Sequence, residues 1–172
     1  MAATYEKIQS YTLGSASVGV TFSSIPSTYT DLKVIINGMA SGTSTKYITF
    51  NNETLGGAQT TYSDTYLYGD GSSALSNRDT SNAAIFFLSK NVGISSSSPS
   101  TSIVDVMSYA NTAINKTCLI ANANAAGGSV ERIVALWRNT NAVNAISFLN
   151  TVGSGHLWNS GSTFTLYGIK AA

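Results

Sequence analysis

Short runs of Val, Ile, Leu, Phe and Tyr, alternating with Ser and Thr and cut apart by Gly, Asn and Pro, recur along the whole chain. Apolar residues at every second position mark a strand with one buried face. In Ser17–Phe22 the spacing predicts Val18, Val20 and Phe22 on one side. In Leu32–Ile36 it predicts Leu32, Val34 and Ile36, and in Lys46–Phe50 it predicts Ile48 and Phe50. Ala84–Leu88 is a continuous apolar run, the pattern of a strand covered on both sides. Further strands are predicted at Ile103–Met107, Thr117–Ile120, Ile133–Trp137, Ala145–Phe148 and Thr163–Ile169.

Turn chemistry separates these runs: Ile25-Pro26-Ser27, Asn37-Gly38, Gly56-Gly57, Gly69-Asp70-Gly71, Gly127-Gly128, Gly153-Ser154-Gly155 and Ser160-Gly161-Ser162. Ser95–Ser100 reads as an exposed loop. Helix is almost absent and no internal repeat is visible, so propellers and solenoids fall away. The expectation is an all-β fold, an antiparallel two-sheet sandwich of jelly-roll type with about eight to ten strands. Residues 1–172 make one domain, and a short N-terminal segment, about residues 1–12, is expected to contribute to assembly contacts.

Charge is scarce. Asp, Glu, Lys and Arg make up 10% of the 172 residues, against about 25% in an ordinary soluble domain. Ser, Thr, Asn and Gly take their places. Such a chain either hides surface in an assembly or offers hydroxyls and amides to water and sugars. The formal net charge is +1, and the lysines stand singly, with Arg132 and Arg138 the only close cationic pair. That pattern gives no basic patch for nucleic acid. No apolar run has the length of a membrane span, and the N-terminus does not read as a secretory signal.

Enzyme machinery is hard to assemble, and the expectation is a protein with no catalytic residues, metal or cofactor. The single His156 cannot supply a His-rich zinc set, and no nucleophile-elbow pattern surrounds any Ser. Asp64, Asp70, Asp79, Asp105 and Glu131 lie in no hydrolase or calcium motif. The lone Cys118 sits in an apolar run and reads as a buried thiol. The residues to weigh are aromatic. Tyr62, Tyr66 and Tyr68 alternate with Asp64 between them, so in an extended stretch they line one face. A tyrosine joins an apolar ring to a hydroxyl, which suits sugar stacking or a subunit contact. Tyr62, Tyr66, Tyr68 and Trp158 are therefore the candidate interface or glycan contacts; Trp137 reads as core.

Four stretches resemble small β-rich virion structural and tail-fibre-like proteins of tailed bacteriophages, especially cyanophages. They are Thr21–Leu32 with the strand running to Asn37-Gly38, then Tyr47–Asn51, Tyr66–Ser73 and Gly161–Ile169. The segment Asn52–Gln59 departs from that pattern, with Glu53-Thr54-Leu55 where a Gly-Asp turn is more usual. The resemblance implies a jelly-roll-like sandwich on the virion, commonly trimeric, with no catalytic residues to carry over. It would be made in the host cytoplasm and reside on the particle exterior. The resulting expectation is a homotrimeric capsid decoration, or cement, protein that bridges the major capsid protein or other virion proteins. The alternative is a tail-fibre tip or adhesin domain binding host-surface polysaccharide.

Overall fold

The computed structural model describes residues 4–41, 45–88, 92, 94–124, 126–150 and 155–170. Its strands are β1 (Tyr5–Thr12), β2 (Gly19–Phe22), β3 (Asp31–Gly38), β4 (Lys46–Phe50), β5 (Tyr62–Gly69) and β6 (Ala74–Asn82). They continue with β7 (Ile85–Leu88), β8 (Ser100–Met107), β9 (Lys116–Asn124), β10 (Ser129–Trp137), β11 (Ile146–Asn150) and β12 (Thr163–Ile169). All pairings are antiparallel. One sheet has eight strands in the order β1-β12-β3-β8-β9-β10-β5-β6, and the other has four, β2-β11-β4-β7. The expected all-β sandwich is what forms.

The order carries more than the count. Set aside β5–β6 and β9–β10, and two four-stranded sheets remain, β1-β12-β3-β8 and β2-β11-β4-β7. With those hairpins left out, every step along the chain except β4 to β7 passes from one sheet to the other, which is jelly-roll wrapping. The two remaining hairpins are insertions, and they pair side by side to widen one sheet by four strands. Turn residues close one of them: Asp70 accepts the Ser72 and Ser73 amides at 2.9 and 2.6 Å, while Gly71 takes φ +84.

Alternation puts Leu32, Val34 and Ile36 of β3, Val104 and Val106 of β8, and Phe164 and Leu166 of β12 into the core, each within 1% of full burial. From the smaller sheet come Phe22, Ile48, Phe50, Phe87, Ile146 and Phe148. Edge-to-face contacts link Phe148 to Phe22 and Phe87, at centroid separations of 6.3 and 5.3 Å. Aromatic pairing adds to plain area burial here. Trp137 is core, as its place at the end of an apolar run implies. Cys118 is fully buried, and its thiol is pushed up to about 12 by desolvation.

Some expectations need correction. Among the described residues there are twelve strands, more than the periodicity indicates, because β1 and β6 carry no clean alternation and β5 has Asp64 in its inward row. Val18 is 67% exposed, since the ladder of β2 begins one residue later at Gly19. The Gly153-Ser154 part of the turn signal, Lys90 and residues 1–3 of the N-terminal segment lie outside the described residues. The rest of that segment is an edge strand paired with β12.

Candidate functional site

The inserted hairpins bring polar residues onto the inner face of the wide sheet. Asp64, Asn122, Asn124, Ser129 and Glu131 are all at least nine-tenths buried. They meet the free edge of β7 and the chain that follows it. Phe86 N–H donates to Asp64 Oδ2 at 3.3 Å, and Asn122 Nδ2 donates to the Phe87 carbonyl at 2.5 Å. The Val92 carbonyl accepts from Asn124 Nδ2 at 2.8 Å and from Ser129 Oγ at 3.1 Å. An edge strand leaves backbone groups unpaired, and burying them unmet would be costly. These side chains stand in for the missing neighbour strand.

Burial raises the Asp64 carboxyl to about 7; Asp79 and Glu131 add repulsion, and the Phe86 amide and Asn82 pull the other way. Asp70 is held below its ordinary value by the Ser73 and Ser72 amides and the Tyr68 hydroxyl. Asp105 pairs with Lys33 at 2.5 Å, on the outer face. Among the described residues, no group of three or more His, Cys, Asp or Glu side chains is placed to hold a metal ion. His156 lies against the Ser41 carbonyl, with Nδ1 at 2.9 Å.

The four aromatic candidates divide. Tyr62 is fully buried, stacked on Trp137 at 6.2 Å, and its hydroxyl accepts the Phe50 amide at 2.9 Å. Trp158 is 1% exposed, stacked on Phe87 at 6.2 Å and edge-on to Phe164 at 5.0 Å. Neither presents a ring to a partner, so both are withdrawn as contact residues. Their apolar area is worth more in the core than at a surface. Tyr66 and Tyr68 do share the inner face of β5 with Asp64, and both are half-buried. Tyr68 donates to Asp70 at 3.1 Å, and Asn77 donates to the Tyr66 hydroxyl at 3.5 Å.

The feature that spacing alone did not single out is the outer face of the wide sheet. Strand register places Leu119, Val134 and Thr65 in one row across β9, β10 and β5. The next row on that face is Ala121, Arg132 and Leu67, and beyond it lie Ala123, Val130 and Gly69. Leu67, Val130, Val134 and Leu119 are 61%, 58%, 56% and 46% exposed. Between them lies a shallow depression of about 400 Å³, lined by Thr65, Leu67, Leu119, Arg132 and Val134 among others. Charge on this face is sparse and leans positive: exposed Arg132 and Arg78 stand among these rows, and Lys33 farther along pairs with Asp105. The readable signal is alternation in β10 that is apolar on both phases, Ile133 and Ala135 inward, Val130 and Val134 outward.

No protein-family model matches the chain, and no curated protein matches it. Among solved structures it is similar to that of an alginate lyase mutant in complex with an alginate tetrasaccharide, at 8% identity and a TM-score of 0.28. That alignment covers 96% of this chain and 73% of the other. At such a TM-score the likeness bears on neither fold nor activity.

Proposed function

We propose that this chain is a virion structural protein of a tailed bacteriophage, a trimeric decoration protein docked on the capsid exterior. The observation that carries the reading is the outer face of the wide sheet, where Leu67, Leu119, Val130 and Val134 stand open to solvent. Contiguous exposed apolar surface of this kind marks a contact waiting for a partner. Apolar side chains with a few arginines among them suit a broad, flat neighbour such as the lattice of the major capsid protein. Short stretches of sequence that resemble phage virion proteins supply the setting. A three-fold ring requires two different patches per subunit, and the free edges β1 and β6 lie at opposite ends of the wide sheet. The role is binding, and it needs no cofactor.

Copy number per particle is the test. Hundreds of copies per virion, and binding of the purified chain to undecorated capsids that is lost on Val134→Lys, are the expected results. A few dozen copies or fewer, or no binding to undecorated capsids, overturns the reading in favour of a tail appendage, and capsid binding that Val134→Lys leaves intact overturns the outer face as the docking surface.

A further inference from the structure

On the opposite side of the sandwich, the outward-facing residues of β4 and β7 meet the loop that follows β4. Tyr47 and Phe86 are register partners, and their rings lie 5.1 Å apart at 48°. With Leu55, Gly56, Asn82, Ala83 and Ala84 they line a cleft of about 360 Å³. That volume is at the small end of the range for ligand sites. It admits one or two sugar-sized rings and no folded partner.

The walls are built. Gln59 Nε2 donates to the Thr54 carbonyl at 2.7 Å and to the Ala83 carbonyl at 3.1 Å, tying the loop to the β6–β7 connection. The Gly57 amide donates to Thr54 at 2.9 Å, and Gly56 holds the turn at φ +81. A cleft ordered before its ligand arrives loses less freedom on binding.

Its chemistry narrows the occupant. None of the lining residues is charged, so nothing there would pair with a phosphate, a nucleotide or a uronate. Two tilted rings offer a surface for C–H groups, and one of them, Tyr47, carries a hydroxyl. A wholly apolar ligand would cover the rings and make no use of that hydroxyl. A neutral pyranose has an apolar C–H face and hydroxyls at its rim, and it satisfies both.

We infer that the Tyr47–Phe86 cleft binds a neutral pyranose residue of a glycan. The inference stands apart from the docking role of the other face, and a protein seated by that face would turn this cleft outward.

The test is titration of the isotope-labelled full chain with methyl α-glucoside, methyl β-galactoside, methyl α-mannoside and N-acetylglucosamine, followed by NMR, with glucuronate as the charged control. At least one neutral sugar should give saturable shifts at Tyr47, Leu55 and Phe86. Its affinity should fall about tenfold or more in Phe86→Ala. Leu55→Asp, in the loop and outside both sheets, should lose binding equally with its melting temperature unchanged, and it decides the matter should Phe86→Ala not fold. Absence of shifts in the cleft with every neutral sugar, wild-type affinity in Leu55→Asp, or glucuronate binding as tightly as its neutral counterparts overturns the inference.

Discussion

Asp64 on β5 accepts the backbone N–H of Phe86 on β7 at 3.3 Å, so one buried carboxylate joins an inserted hairpin to the free edge of the opposite sheet. This bond explains why an acid sits at a position where alternation calls for an apolar residue. The strand above it ends a sheet, and its amide meets the carboxylate where a neighbour strand would otherwise pair.

The same carboxyl makes stability depend on pH. Burial raises it from 3.8 to about 7, so the folded chain holds this proton more tightly than the unfolded chain does. Its contribution is complete below the unfolded value and is lost as pH rises through about 7. The melting temperature should fall between about pH 4 and about pH 7 and level off above that, and Asp64→Asn should flatten the decline. Parallel curves for the two proteins would show that another group is responsible.

Lys116 is fully buried, and its ammonium donates to the carbonyls of Asn111, Ile114 and Thr140 at 2.6, 2.7 and 3.2 Å. Desolvation lowers its pKa, and the three acceptors keep the charge satisfied. Replacing it with Met leaves those carbonyls without their donor. Lys116→Met should cost about 3 kcal/mol or more in urea unfolding. A loss below about 1 kcal/mol would mean that water takes over the carbonyls.

Gly168 leaves room for an aromatic ring. A Cβ added there would stand 2.3 Å from Tyr29 Cγ and 2.4 Å from its Cδ1. Tyr29 is not free to yield, because its hydroxyl donates to Glu6 at 3.0 Å and Lys170 pairs with the same carboxylate at 2.7 Å. Gly168→Ala should therefore destabilise the chain by about 1–3 kcal/mol. Thermal melts that match the wild type would show that the ring swings aside at no cost.

Leu119 and Val134 lie side by side on the outer face, in direct register. Neither supports the core, so the double change Leu119→Ser with Val134→Ser should alter folding stability by no more than about 0.5 kcal/mol. The same protein should show less self-association by light scattering at high concentration. A large loss of stability would place these side chains in the domain's own packing.

Strands whose two faces differ are the ones that alternation reveals: β3, β8 and β12 carry Leu, Val, Ile and Phe inward and mostly polar residues outward. β6 escapes detection because Ala74–Asn82 is solvated on both faces and is held by its backbone ladder to β5. β9 runs past the expected Ile120 to Asn124 because Asn122 and Asn124 occupy inward positions as caps for another strand. Polar residues used in that way look like loop. The site divides similarly. Tyr66 and Tyr68 share a face as their spacing requires, but spacing cannot separate an aromatic residue at a surface from one such as Tyr62 or Trp158 that fills the core. The Tyr47–Phe86 cleft joins two strands far apart in the chain, a pairing visible only after the sheet closes.

The two inserted hairpins are neighbours in the sheet, yet each leaves and rejoins the chain between strands that wrap correctly without it. Side chains on their outer faces are thus uncoupled from closure of the barrel-like wrap. Substitutions there would change what this surface grips while the remaining strands keep every one of their registers.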